Sequence, residues 1–430
     1  MKILIRGGRL IDPGNDLDSR LDILINGTIV EKIDRNIRET DDKVKIIDAG
    51  GHIVAPGLID VHAHLREPGY EYKETIKTGT MAASKGGFTT VVCMANTHPV
   101  NDNKSVTEFI LEKARSEGLC RVMSCGAITR GLKGEELSEI GEMYEAGIVA
   151  LSDDGKSVRD AGLLRRAMEY SRIFGLPLIS HCEDETLAKG YVHEGLASLI
   201  SGLEATPPIA EEIIVERDIA IARYVEAPIH LTHISTAGSV EIIGRSKKKY
   251  KKVTCDTCPH YFTLTDEATL GYDTNTKVNP PLRSRKDREA IQEGLKSGII
   301  DIIATDHAPH EFTSKDVEFD IASSGISGFE TALALSLRLV HDDILTFPEI
   351  IQKMSVNPAK LLGLASGDLS VGKPADLIIF NSATEWTVNK ETFLSRGKNT
   401  PFHGWKLKGK NLLTMVGGKI VYRDARLIKS

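Results

Sequence analysis

Eight short apolar runs, separated by stretches of helical pattern, set the strongest limit on what this 430-residue chain can fold into. The runs are HIVAPGLIDVHAH, FTTVVCMAN, CRVMSCGAI, GIVALSDD, LPLISHC, APIHLTHIS, KVTCDTCPH and DIIATDHA. Between them lie stretches such as YKETIKTGTMAASKG, NKSVTEFILEKARSEG and RDAGLLRRAMEYSRIFG. Strands that alternate with helices imply parallel pairing through crossover connections. Near-continuous apolar character is what parallel strands need when both faces are buried. Eight such units in a chain of this length predict a closed (β/α)8 barrel of TIM type rather than an open sheet. Residues 54–365 are assigned to that barrel.

The two ends read differently. Residues 1–53 carry β-type segments with tight turns (KILIRGGRLI, LDILINGTIVEKI, KVKIIDAGG), and residues 366–430 repeat the style with KPADLIIFN and NLLTMVGGKIVYRDARL. Neither end alone offers enough strands for a stable sheet with a buried face. Together they predict one small β-sandwich domain built from both termini.

The net charge of −6 and a single short basic run, KKKYKK at 247–252, give no basic face for a nucleic acid. That run reads as a solvated helix end or turn. No apolar stretch reaches membrane-spanning length, and the start lacks the order of a secretory signal. Six cysteines, four inside apolar runs, read as reduced core thiols of a cytoplasmic protein. Cys255 and Cys258 form one C-x-x-C without the partners a structural zinc site needs, so they too are read as core.

The polar residues at the ends of the runs are harder to read as packing. His62 and His64 close the first run and share one strand face. Asn96 follows the second, Asp153 and Asp154 close the fourth, and His181, His233, His260 and Asp306 close the fifth to eighth. In a barrel all of these lie at the C-terminal mouth, where this fold carries its active sites. Burying so many ionisable groups gains nothing without a compensating cation. Imidazole mixed with carboxylate and no clustered thiolate favours a catalytic zinc-type centre.

The segments DVHAHLREPGYEYKE and ATDHAPHEFTSK resemble the two signatures of the dihydroorotases, within the amidohydrolase superfamily. MANTHPV, LSDDG, SHCED, LTHIS, KVNPPLR and VGKPADL extend the resemblance over nearly the whole chain, towards the longer, first class of the family. The resemblance implies a barrel of the metal-dependent hydrolase kind. It also implies two Zn²⁺, with His62, His64 and Asp306 on one, His181 and His233 on the other, and Asp154 bridging. Asp154 is chosen over Asp153 by its spacing of 27 residues from His181. His64, Arg66, Asn96, Asn279 and His310, with the backbone at Ser324 and Gly325, correspond to the family's substrate contacts. The implied reaction is the reversible cyclisation of N-carbamoyl-L-aspartate to L-dihydroorotate by a metal-activated hydroxide, in pyrimidine biosynthesis. Asp306 would serve as general base and then general acid. The guanidinium of Arg66 is a planar fork suited to the substrate carboxylate.

Other readings stay open at this stage. Asn96 and Asn279 stand where asparagine also starts loops and turns. His98 and His260 read as orienting or structural, His193, His230, His341 and His403 as surface or packing residues, and His52 needs no function. His307 should point away from the mouth. Hydantoinases and allantoinases are rivals, but they bridge their metals with a carboxylated lysine, and Lys156 reads as out of reach. A catalytically silent scaffold should have lost ligands that this chain retains. The family also admits self-association and association with aspartate carbamoyltransferase. Residues 310–328, polar and carrying Gly325 and Gly328, are expected to form a mobile flap.

Overall fold

The computed structural model describes residues 2–38 and 43–424. Its first five strands are β1 (Lys2–Asp12), β2 (Leu17–Asn26), β3 (Ile29–Asp34), β4 (Lys45–Asp48) and β5 (Ile53–Pro56). Then come β6 (Leu58–Ala63), β7 (Phe88–Cys93), β8 (Arg121–Gly126), β9 (Ile148–Leu151) and β10 (Leu178–His181). A two-strand excursion, β11 (Val192–His193) and β12 (Ala205–Thr206), precedes β13 (Ile229–Thr232), β14 (Val253–Thr257) and β15 (Ile302–Ile303). The chain returns in β16 (Leu377–Thr387), β17 (Lys406–Val416) and β18 (Lys419–Arg423).

Eight of these strands form the barrel sheet in the order β6-β7-β8-β9-β10-β13-β14-β15. A parallel bridge between Ala63 and His307, with the His64 amide donating to the His307 carbonyl at 2.8 Å, links the last strand to the first. Each of the eight apolar runs supplies one of these strands. Leu58, Val91, Leu178 and Ile303 pack in the cluster shared with the surrounding helices. Their neighbours Ile59, Val92, Ile179 and Ile302 point to the opposite faces and pack together with Ala359 and Leu362. The crossover helices start on side-chain caps: Thr75, Asn103, Asp160, Thr236 and Ser284 each accept a backbone N–H of the first turn.

The other sheet joins both termini in the order β18-β17-β16-β5-β1-β2-β3, with β4 also on β1. β1 bends at Gly7 and Gly8, so that its first half pairs with β4 and its second half with β5. The bend wraps the sheet round a core that includes Ile5, Leu10, Ile25, Leu377, Leu413 and Met415. Two boundaries differ from the sequence reading. Ile53–Pro56, part of the first apolar run, pairs with β1 and β16 rather than with the barrel. The chain then passes to the barrel through Gly57, where a Cβ would lie 2.2 Å from the Thr89 side chain. Residues 388–405, assigned to the terminal domain, pack on the barrel instead. There Asn399 donates to the carbonyls of Ala308 and Gly325.

All six cysteines are buried and unbridged. The lysine-rich run follows the helix Ala237–Lys247 as a largely exposed turn. Among the described residues, no helix is long and apolar enough to cross a membrane.

Candidate active site

The strand ends deliver the ligating side chains. His62 lies within β6 and His181 ends β10; His64, Asp154, His233 and Asp306 each follow a strand by a few residues. Three residues of the rim adopt left-handed backbone that L-residues disfavour: Arg66 at φ 63°, His233 at φ 42° and Asp306 at φ 45°. Such strain persists only where the surroundings fix it, and it concentrates at functional sites.

Asp154 sits at the centre. One carboxylate oxygen, Oδ1, lies 3.2 Å from His62 Nε2, 3.6 Å from His233 Nε2 and 3.7 Å from His181 Nδ1. Its Oδ2 lies 3.4 Å from His64 Nε2. Asp306 Oδ1 lies 3.1 Å from His64 Nε2 and 3.5 Å from His62 Nε2. His181 Nδ1 and His233 Nε2 face each other at 2.8 Å. His64 Nε2 with Asp306 Oδ1 and His181 Nδ1 with His233 Nε2 are within hydrogen-bonding geometry, but His62 Nε2 and Asp154 Oδ1 are both buried with no hydrogen-bond partner. Atoms arranged like this converge on common points. His62, Asp154 and His233 form one group that can hold a metal, and His62, His64 and Asp306 form another. The nitrogen and carboxylate donors suit a divalent transition metal.

The electrostatics agree. Burial pushes the His62 and His181 imidazoles down, yet Asp154 and the other nearby carboxylates raise both to about 10. Burial likewise opposes ionisation of Asp154 and Asp306, yet the imidazoles hold both below the usual carboxylate range. Carboxylates held ionised among buried imidazoles make a site suited to a divalent cation. Asp153 does not join it. That carboxylate accepts the backbone N–H groups of Ile128 and Thr129 at 2.7 and 3.0 Å, and the Thr129 hydroxyl. Lys156 is exposed.

A second layer of groups orients the first. His64 Nδ1 is 2.9 Å from Asn96 Oδ1, so its proton is held there and Nε2 keeps its lone pair for the centre. His62 Nδ1 meets Thr232 Oγ1 at 2.7 Å, and that hydroxyl donates to Asp256 Oδ2. The other oxygen of Asp256 accepts the His233 amide at 2.6 Å, and the buried His230 ring also meets this carboxylate. Glu183 lies 3.4 Å from His181 Nε2 and accepts from Asn279 Nδ2 at 2.9 Å. Thr232, Asp256 and Glu183 were not singled out from the sequence. The available signal was proximity: Thr232 directly precedes His233, and Glu183 stands two residues after His181.

Above the cluster is a cavity of about 210 Å³. His64, Arg66, Asn96, Asn279, His310, Ser324 and Gly325 all line it, together with Asp154, His181, His233 and Asp306. Arg66 is partly buried, with Nε 3.4 Å from the Pro309 carbonyl. His310 donates from Nε2 to the Ser324 carbonyl at 2.9 Å, and its Nδ1 is buried without a partner. Burial, with Arg66 beside it, lowers the His310 pKa, so the ring is neutral and Nδ1 is an acceptor. His307 turns away from the cavity, stacked on Phe329 and 3.4 Å from Glu74. His260 is buried beside Tyr261, and His98, His341 and His403 are exposed. His52 accepts from Asn381 in the terminal sheet, and His193 is buried near Asp287.

The model of the amidohydrolase family matches residues 53–421. A dihydroorotase of Syntrophus aciditrophicus is 49% identical over 425 residues, covering 99% of this chain and 100% of the relative. One of Acetivibrio thermocellus is 51% identical over 428 residues, covering 99% and 100%. The chain belongs to the amidohydrolase family, in its dihydroorotase branch. Solved amidohydrolase structures share the fold at greater distance. An L-hydantoinase (dihydropyrimidinase) from Arthrobacter aurescens has a TM-score of 0.89 at 25% identity, covering 98% of this chain and 96% of that one. A dihydropyrimidinase from Brevibacillus agri has 0.87 at 24%, covering 98% and 95%. Membership of this family makes the chain a metal-dependent hydrolase of cyclic amides.

Proposed function

We propose that this amidohydrolase interconverts N-carbamoyl-L-aspartate and L-dihydroorotate, the ring-closing step of pyrimidine biosynthesis, with two zinc ions bridged by unmodified Asp154. The observation that carries the reading is one cavity in which the Asp154-centred histidine cluster faces the partly buried Arg66. A metal-activating floor and a fixed carboxylate receptor are what a small anionic cyclic amide requires. The near-50% identity to dihydroorotases along the full chain supports the same substrate.

His62, His64 and Asp306 would hold one ion and His181 and His233 the other. When bound, the ions supply Lewis acidity for the ring carbonyl and lower the pKa of the attacking water. The residues of the chain do the rest. Arg66 anchors the substrate carboxylate through two parallel N–H donors. Asn279 and the neutral His310 offer a donor and an acceptor to the ring amide. Asp306 takes the proton of the attacking water on its carboxylate and returns it to the departing ring nitrogen. In the synthetic direction the same proton runs back. Segment 310–325 covers the cavity and excludes competing water.

The test is metal analysis paired with turnover of dihydroorotate, hydantoin and allantoin by the zinc-loaded enzyme. The reading expects close to two zinc ions per chain and a clear preference for dihydroorotate. Preference for hydantoin or allantoin would overturn it. Association with itself or with aspartate carbamoyltransferase is a further proposal, tested by co-sedimentation of the purified proteins.

A further inference from the structure

Among the described residues three lysines are buried, Lys277 at 6%, Lys315 at 7% and Lys353 at 6% exposure; Lys353 donates to the Ile300 carbonyl, whereas Lys277 and Lys315 join two segments that line the cavity. Lysine is among the residues least often buried. Here the ammonium groups donate to backbone carbonyls rather than to carboxylates. Lys315 Nζ donates to the Thr274 carbonyl at 2.8 Å and to the Ser323 carbonyl at 2.6 Å. Lys277 Nζ donates to the Asp320 carbonyl at 2.8 Å and sits 4.4 Å over the Tyr191 ring. Each lysine therefore reaches from its own segment to the other: Lys315 from the flap to the 274–277 loop, and Lys277 from that loop to the flap.

The backbone completes the seam. Thr274 Oγ1 donates to the Lys315 carbonyl, and the Gly325 amide donates to the Lys277 carbonyl at 2.9 Å. Both ends of the seam lead directly into the cavity. Ser323 precedes Ser324 and Gly325, and Lys277 stands two residues before Asn279; all three followers line the cavity. Gly325 is at φ +143°, and a Cβ there would lie 2.6 Å from the Ala308 carbonyl, so the flap re-enters the wall by a turn that only glycine fits.

We propose that Lys277 and Lys315 are positioning residues: a reciprocal clamp that holds segment 310–325 closed against the loop carrying Asn279 and thereby sets two walls of the substrate cavity. Packing alone does not account for the pair, because an apolar side chain of similar length fills the same space without burying a cation. A clamp does account for it, because among the described residues backbone carbonyls on both sides of one seam are the only groups these ammoniums join in hydrogen bonds. The inference rests on the reading of the cavity as the dihydroorotate site. Apparent substrate affinity falls in proportion to the closed fraction, so loosening the clamp acts on KM. The metal cluster is carried by other strand ends and keeps its contents.

The experiment compares the zinc-loaded wild type with Lys315→Met, Lys277→Met and the milder Thr274→Val. It reads kcat, KM for dihydroorotate, zinc content, and cleavage by chymotrypsin, which has sites at Phe312 and Phe319 within the segment. Each methionine variant is expected to raise KM by ~10-fold or more with kcat within ~3-fold, as expected when the closed fraction falls. Zinc content stays unchanged. Cleavage in the segment becomes faster without substrate and returns towards the wild-type rate at saturating dihydroorotate. Unchanged KM in both methionine variants overturns the clamp, and so does a kcat loss that tracks zinc loss at constant KM. If the methionine variants do not fold, Thr274→Val and hydrogen exchange of the wild-type Gly325 amide decide: slow exchange, accelerated in the variant, supports the clamp, and fast wild-type exchange overturns it. A wild type inert towards dihydroorotate defeats the functional reading instead, and the cleavage comparison then judges the clamp separately.

Discussion

Replacing Asp306 by asparagine tests the proton-transfer role with least disturbance of shape. The amide keeps the volume of the side chain at a position packed 3.1 Å from His64 Nε2 and 3.5 Å from His62 Nε2. It still offers one oxygen to a metal, but it cannot accept a proton from water and hand it on. General acid–base catalysis contributes ~10²–10⁴-fold, or roughly 3–5 kcal/mol of barrier. Turnover of Asp306→Asn is therefore expected to fall by at least ~10² in both directions. Because the residue is also a proposed ligand, the assay pairs initial rates of ring opening and closure with metal analysis on the same preparation. Loss of turnover with both ions retained assigns the deficit to the proton. Near-normal rates with metal confirmed would refute the role.

Four further outcomes follow from the structure. Zinc reconstitution of the apo-enzyme in degassed buffer should restore full activity without bicarbonate, because Asp154 needs no carboxylation; recovery only on adding bicarbonate refutes the unmodified bridge. Asp154→Ala should lose an ion, whereas Asp153→Ala should keep both and disturb the 128–129 backbone that it holds. Asp256→Asn should weaken zinc affinity by ~10–100-fold in a chelator competition, as loss of an orienting partner does; unchanged affinity would remove Asp256 from the support of His62 and His233. Burial, with Lys277 adding to it and Asp273 opposing, lowers Lys315 to about 7. The unfolded chain then binds the extra proton between that pH and about 10.4, and wild-type stability rises with pH across the window. The Tm of the wild type relative to that of Lys315→Met should thus rise between pH 6 and pH 9; a constant difference contradicts the buried charge.

What could be read in advance follows from how local each signal is. An apolar run ending in histidine or aspartate reports a barrel strand and its rim residue within a few positions, so the eight strands and the rim were legible, while the choice of six proposed ligands among the rim residues, Asp154 over Asp153 and without His260, came from the family resemblance. The run around Gly57 misled because strands of two sheets join there with no polar break: Ile53–Pro56 and Leu58–Ala63 are equally apolar. Supporting contacts were not legible because they join distant parts of the chain. Glu74 accepts from the Ser395 hydroxyl, and Asn399 holds both Ala308 and Gly325, across separations that no local pattern encodes. Asn96 shows the same limit from the other side. The sequence offered it to substrate, and the structure shows its oxygen already facing His64 Nδ1, so it supports a proposed ligand as well as lining the cavity. The buried lysines were invisible for a related reason: TKVN and TSKD look like ordinary solvated loop, and only the seam between the two loops buries them.

A crystal structure of the zinc-loaded enzyme with L-dihydroorotate bound tests the central claim most directly. The account predicts two ions bridged by the unmodified carboxylate of Asp154, and the substrate carboxylate on the Arg66 guanidinium. It also predicts the ring carbonyl turned to the ions, within reach of Asp306, under a closed 310–325 segment. A substrate carboxylate held away from Arg66, or a bridge supplied by any group other than Asp154, would contradict it.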